Sequence, residues 1–418
     1  MTRSEVQIQS GATAHSNPRP LLREGAGMPR TENKPKIGLT MGDAAGIGPE
    51  IVVKALTHKS VYSLCQPIVI GSSAILQDAC LRFTTPNRPP LNLNIIKKPM
   101  QAIAKHGTID VLDVSSISPQ DISVGTIDAR AGVAAVKAIE TGTHLTMHGE
   151  LDAITTAPIC KAAIHRAGIS YPGHTEMLAS FTNTPHVVMM LCTPEALDSN
   201  QQSAASSQKD TVACVSSLAD SRQPSQHADG SREPRTIPAV SFVTNHVALA
   251  DVPKHLSVER IVEVIRITQQ ALIRCGISEP RLVVAGLNPH SGEDGAFGKE
   301  EEYLIRPAIA QAQARFSTGT IDGPLPADAL FVKASQGEWD AVIVMYHDQG
   351  NIPIKLLGFG ELVNVTLGLP IIRTSVDHGT AFDIAGKGIA NEMSLVGALS
   401  CAARLARNSS QQSAGSSQ

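Results

Sequence analysis

Three histidines occupy alike settings in this chain: His246 in VSFVTNHVAL, His290 in RLVVAGLNPHSGE and His347 in AVIVMYHDQG. Each follows an apolar run that reads as a strand and precedes loop chemistry, so the three can converge at one sheet edge, where open α/β sheets place their ligands. Three neutral imidazoles suit a divalent transition metal and leave coordination positions open for a substrate. No compact signature such as HExxH joins them, and a histidine that hydrogen-bonds a loop backbone fits each context taken singly. Asp348 beside His347, and Asp328 in GPLPADALF, can bind metal, orient an imidazole or take a proton; both also suit plain turn roles.

Anion chemistry comes next. YPGHTEMLAS sets His174 and Thr175 at the start of a helical stretch, where unpaired N–H groups and the positive dipole end can hold a phosphate or carboxylate. Thr175 as a simple helix cap is the competing reading. Downstream of His347, Lys355, Asn364 and Arg373 add two cations and an amide among glycines and apolar residues, a combination suited to a small phosphorylated acid. A single Lys or Arg is usually a solvated surface charge, so the clustering beside His347 carries the argument. In KIGLTMGDAAGIGPEIVVKAL, Gly42, Gly46 and Gly48 allow either close approach to a ligand or tight strand-to-helix packing, with Asp43 and Glu50 as secondary candidates. The glycine-rich stretch after Asp377 suits a loop around a flat ligand or an ordinary connection.

The elements that must position these groups alternate. KIGLTM precedes PEIVVKAL, PIVIG precedes SSAILQDACL, LDAITTAP precedes KAAIHRAG, and RLVVAGL precedes EEYLIRPAIAQAQARF. Such alternation implies an α/β fold with a parallel sheet and helices on its faces. Residues 1–35, the insertion 199–235 and residues 406–418 are rich in small polar residues without periodicity and are expected to be disordered. The 418 residues, 42% hydrophobic, suffice for one large or two ordinary domains. A net charge of -3 and only 3% aromatic residues leave neither a basic surface nor stacking platforms for nucleic acid. Seven cysteines without a CxxC pair fit reduced thiols in the cytoplasm. Neither a signal-peptide core nor an apolar run of about 18 residues is present, which argues against export and membrane insertion.

Taken together, TMGDAAGIGPE, TAPICKAAIHRAGISYPGHTE, NPHSGEDGAFGKEE, GPLPADALF, MYHDQGNIPIKLLGFG and VNVTLGLPIIRTSVDHGTAFDIAGKG resemble the 4-hydroxythreonine-4-phosphate dehydrogenase family of pyridoxal phosphate biosynthesis, over about Lys36 to Arg404. The resemblance implies an isocitrate/isopropylmalate dehydrogenase-like fold, with two α/β domains around a cleft. Residues 36–130 and 353–405 would form the first domain and 131–352 the second. It implies a homodimer with active sites at the subunit interface and one divalent ion (Zn, Co or Mg) on His246, His290 and His347, drawn from both subunits. The substrate residues implied are His174, Thr175, Lys355, Asn364 and Arg373, and the candidates for the catalytic base are His174, Lys355 and Asp348. For NAD or NADP the looser carry-over is His378, Gly379, Thr380, Asp383 and Asn391. Ala44 stands where the family usually has proline, and Asn245 where threonine is commoner.

The reaction implied is oxidation of 4-hydroxythreonine 4-phosphate to a β-keto acid that loses carbon dioxide to give 3-amino-2-oxopropyl phosphate. A sister branch oxidises phosphorylated threonate or erythronate; HDQGNIPIKLLGF and TAFDIA lean toward it, GPLPADALF toward the vitamin enzyme. A metal-dependent hydrolase, or a metabolite-binding protein with a structural metal, are the readings of other classes.

Overall fold

The computed structural model describes residues 34–83, 90–197, 237–358 and 360–415. The expected disorder before residue 34 and in the insertion 199–235 lies outside them. The strands are β1 Lys36–Thr40, β2 Gln66–Gly71, β3 Asn92–Ile96, β4 Thr108–Asp113, β5 Ala153–Thr156 and β6 Val188–Cys192. They continue with β7 Ala239–Phe242, β8 Arg281–Ala285, β9 Thr320–Leu325, β10 Ala341–Val344, β11 Val363–Leu367 and β12 Arg373–Val376. All join one 12-stranded sheet in the order β3-β4-β2-β1-β5-β12-β11-β6-β7-β10-β8-β9.

Two parallel arrays make up most of this sheet, as the alternation of elements implies. Between them the pairing reverses: β11 runs antiparallel to β12 and to β6, and β6 antiparallel to β7. The sheet is therefore mixed, not parallel throughout. For β11 and β12 the cause is local, because the short stretch 368–372 that joins them can close a hairpin but cannot hold the crossover that parallel neighbours need. Gly368 at its start has φ +88°, and a Cβ there would meet His186 O at 2.5 Å. The sheet also sets β5, from the range expected for the second domain, beside β1.

β10 shows why the central strands read as continuous apolar runs. Ala341, Val342, Ile343 and Val344 are all 0% exposed, as strands covered on both faces must be. Full burial of each Val or Ile is worth about 1.5–3 kcal/mol. One covering layer is the helix Val258–Arg274, whose Ile261, Val264, Ile265, Thr268 and Leu272 recur at helical spacing and are buried. Its first turn is closed by Ser257 Oγ, which accepts from Arg260 N at 3.1 Å. Around β1 and β2 a second core gathers Ile51, Val52 and Leu395 from the helices Gly48–Ala55 and Met393–Gly415.

That last helix corrects one expectation: it continues to Gly415 through most of the supposed tail 406–418. Arg407 reaches back to Leu64 O, and the hydroxyls of Ser409 and Ser410 donate to Leu405 O and Ala406 O within the helix. Polar composition alone does not reveal such anchoring.

Candidate active site

A cavity of about 840 Å³ is lined by residues of β6, β11 and β12 and of the helix His347–Gly358. Nine of the residues singled out from sequence line it: His174, Thr175, His246, His347, Lys355, Asn364, Arg373, His378 and Gly379. Neighbouring strands explain the convergence. β7 and β10 pair in parallel with Phe242 level with Val344, so the loops leaving their ends carry His246 and His347 to the same place. Their ring centroids lie 5.7 Å apart. His347 Nδ1 is 2.7 Å from Asp348 Oδ1, which leaves Nε2 as its free ring nitrogen. Partial burial, with the charges of Lys161 and His347, pulls His246 below the usual imidazole range and favours its neutral, ligating form.

The third histidine does not line the cavity. His290 side chain is 65% exposed and its Nδ1 lies 3.0 Å from Glu293 Oε2. It opens a run of left-handed backbone, with φ 52° at His290, 52° at Ser291, 85° at Gly292, 43° at Glu293 and 50° at Asp294. Non-glycine residues rarely hold this conformation. Among the described residues, no three His, Cys, Asp or Glu side chains are grouped as a metal-binding set.

The anion-binding half is better formed. Arg373 is 2% exposed. Its Nη1 donates to Thr366 Oγ1 at 2.8 Å and its Nη2 to Thr156 Oγ1 at 2.7 Å, while Nε has no partner. Burial pulls this guanidinium down to about 9, with Glu176 opposing the shift. His174 Nε2 and Asn364 Oδ1 are likewise buried without partners. Burial, then the charges of Arg373 and Lys161, hold His174 well below the ordinary imidazole range, so the ring is neutral. Lys355 Nζ donates to Asp377 O at 3.3 Å and stands 3.6 Å from Asp377 Oδ2. Thr175 is not the cap of its helix: Gly173 takes that position, and no side chain closes the first turn. The N–H groups of residues 174–176 therefore remain available beside the buried cation.

The rest fall outside the cavity lining. Asp348 is exposed and engaged with His347, and Asp328 lies exposed on the helix Ala327–Ala334. His378 and Gly379 reach the cavity, whereas Thr380, Asp383 and Asn391 follow around the loop; Asn391 Oδ1 accepts from Met393 N at 2.9 Å and starts the final helix. Residues 42–48 do not line this cavity, and Gly42 and Gly48 sit at close backbone approaches. A Cβ on Gly42 would meet Pro158 O at 2.5 Å, and one on Gly48 would meet Met41 O at 2.3 Å.

Three charged residues of the cavity wall were missed from sequence: Lys161, Glu176 and Asp377. Lys161 follows a strand and a Pro-containing loop, TTAPIC, which is the same strand-end signal that marks the histidines.

The sequence profile of the family described as pyridoxal phosphate biosynthetic protein PdxA matches residues 63–218 and 233–402. The chain belongs to this family. A member from Cupriavidus necator named D-threonate 4-phosphate dehydrogenase is 43% identical over 89% of this chain and 97% of its own. One from Desulforapulum autotrophicum named 4-hydroxythreonine-4-phosphate dehydrogenase is 39% identical over 89% of this chain and 96% of its own. The crystal structure of 4-hydroxythreonine-4-phosphate dehydrogenase from Klebsiella pneumoniae superimposes with a TM-score of 0.71 at 37% identity, covering 89% of this chain and 99% of that one. The α/β fold with a large central sheet is thus the fold of this family, and the chain is an oxidoreductase of the PdxA kind.

Proposed function

We propose that the chain carries out the NAD(P)-linked oxidation of a four-carbon hydroxy acid phosphorylated at C4, with 4-hydroxythreonine 4-phosphate as substrate. The observation that carries this reading is Arg373: a buried guanidinium, with an unpartnered Nε, faces the same cavity as two adjacent imidazoles. A buried cation lacking a carboxylate partner is costly unless a ligand supplies the anion. The open helix start at 174–176 and Lys355 give a second place for negative charge, as a substrate bearing both phosphate and carboxylate requires. Neutral His174 and Asn364 then act as hydrogen-bond partners that fix the orientation of the acid.

The donors present fit the implied metal in part. His246 and His347 are near enough to share an ion at metal–nitrogen distances of about 2.1 Å, and His290 of a second copy would complete the set in a homodimer. Bound there, a divalent ion supplies Lewis acidity to the reacting hydroxyl. The loop 378–391 would hold NAD(P)+, which supplies the two-electron acceptor. Asp348 orients His347, so its part is positioning, not proton transfer.

A second reading, D-threonate 4-phosphate, is favoured by the name of the Cupriavidus necator relative. The two substrates differ at C2, ammonium against hydroxyl; Asp377 in the wall already stands 3.6 Å from Lys355 Nζ, so Glu176 is the wall carboxylate left to receive the ammonium form. Formation of reduced nicotinamide from each phosphorylated acid, with NAD+ or NADP+ and with metal added or chelated, tests all of this. Turnover is expected with a phosphorylated acid, a nicotinamide and metal together. Turnover without nicotinamide would sink the dehydrogenase reading in favour of a metal-dependent hydrolase.

A further inference from the structure

The helix Gly48–Ala55 carries a buried ion pair that the site described above leaves unused. Glu50 is 1% exposed and Lys54 is 4% exposed, with Lys54 Nζ 2.7 Å from Glu50 Oε1. Two charges taken out of water in this way destabilise the fold unless further hydrogen bonds satisfy them. Here those bonds converge on one short stretch of a distant loop. Lys54 Nζ donates to Gly388 O at 2.7 Å and to Ala390 O at 2.8 Å, which with Glu50 uses all three ammonium protons. Glu50 Oε1 accepts from Ala390 N at 2.8 Å and Oε2 from Gly388 N at 3.3 Å. Both backbone groups of both residues are thus held by a charged side chain, and such charge-assisted bonds are roughly twice as strong as neutral ones.

The turn that opens this helix grips the other end of the same loop. Ile47 N donates to Thr380 O at 3.0 Å, and a Cβ on Gly46 would meet Thr380 at 2.9 Å. Gly388 sits at φ +74°, a conformation that glycine adopts freely and other residues rarely do. Between these two anchors the loop has turn hydrogen bonds of its own, Ile384 N to Ala381 O at 3.1 Å and Lys387 N to Ile384 O at 3.2 Å. It packs Phe382 and Ile384 on the core, but no strand or helix ladder fixes it, so its end at 388–390 depends on what grips it.

We infer that Glu50 and Lys54 are positioning residues for the nicotinamide cofactor: they hold the loop 378–391 in the conformation that binds it. The inference rests on the reading that this loop receives NAD(P). The pair itself lies outside the substrate cavity. Its loss acts on cofactor affinity and spares the anion site.

The test compares the full-length wild type with Glu50→Gln/Lys54→Met, which leaves no buried charge unpaired, and with Lys54→Met alone. Amide hydrogen exchange is followed across 380–392. NAD+ and NADP+ affinities are measured by titration, and inorganic phosphate binding at the cavity serves as an internal control. Faster exchange at Gly388 and Ala390 is expected in the double variant, with the cofactor Kd raised about tenfold or more and phosphate affinity kept within about twofold. Unchanged exchange would overturn the inference, because the pair would not be what fixes the loop. Faster exchange with unaltered cofactor affinity would overturn it too, by separating the loop from the cofactor; whether the chain is a dehydrogenase would still be read from reduced nicotinamide formed by the wild type. Should Lys54→Met alone not fold, the double variant still separates these outcomes.

Discussion

The imidazole rings of His246 and His347 stand 5.7 Å apart because β7 and β10 lie side by side in the sheet. Both side chains are accessible, so removing either ring sacrifices little packing. His246→Ala and His347→Ala should change stability by no more than about 0.5 kcal/mol. Affinity for added zinc or cobalt should fall by at least the roughly 10- to 100-fold that loss of an outer-shell partner costs, with turnover falling alongside. Metal titration followed by calorimetry checks this; a variant that binds metal as tightly as the wild type would remove that histidine from the ligand set.

Asp348 reaches His347 Nδ1 at 2.7 Å and lies outside the cavity. If it positions the ring, Asp348→Asn should weaken metal binding by about tenfold, since the amide oxygen still accepts the ring proton but without the charge. Asp348→Ala should cost more. Activity of both variants should recover at high metal concentration. Activity that stays lost at saturating metal would instead make Asp348 the proton acceptor.

Arg373 gives a prediction with opposite signs for stability and binding. Its buried charge lacks a carboxylate partner at hydrogen-bonding distance among the described residues, so phosphate should raise the unfolding temperature of the wild type by mass action. Arg373→Met should abolish that rise while leaving the ligand-free midpoint equal to the wild type's or above it. kcat/KM should fall by about 10- to 100-fold, the worth of one or two hydrogen bonds to a charged group. Thermal melts with and without inorganic phosphate decide the matter.

How much of this could be read from sequence depends on the range of the interaction. The run Ala341 to Met345 ending in His347 is legible because a doubly covered strand must be apolar throughout and its end must turn to loop chemistry. The same logic marks His246. It cannot say that His290, in an equally suggestive setting, stands exposed on a left-handed turn, since nothing local separates a residue that faces its own cavity from one that faces elsewhere. Arg373 is a surface charge by composition and a core residue by position, because two threonines from other strands receive it. Glu50 and Lys54 are visible as an i,i+4 pair, yet their partners lie more than three hundred residues onward. The reversal between β11 and β12 follows from a short hairpin that periodicity does not weigh.

Asp43 offers the pH prediction. It is 0% exposed; its Oδ1 accepts from Ala45 N at 2.8 Å and its Oδ2 has no partner. Burial, opposed by backbone hydrogen bonds, raises its carboxyl to about 6 from an ordinary 3.8. Between those values the folded chain binds more protons than the unfolded one, so this group's contribution to stability falls as pH rises through that window. The full penalty, on the order of 3 kcal/mol, is reached above the folded value. Asp43→Asn keeps the acceptor for Ala45 N and cannot ionise. It should therefore be more stable than the wild type at about pH 7.5, with the difference shrinking toward zero near pH 4 as the wild-type carboxyl takes up its proton. Denaturant titrations of both chains at several pH values measure this. A difference that stays constant with pH would mean that the Asp43 carboxyl titrates alike in the folded and unfolded chain.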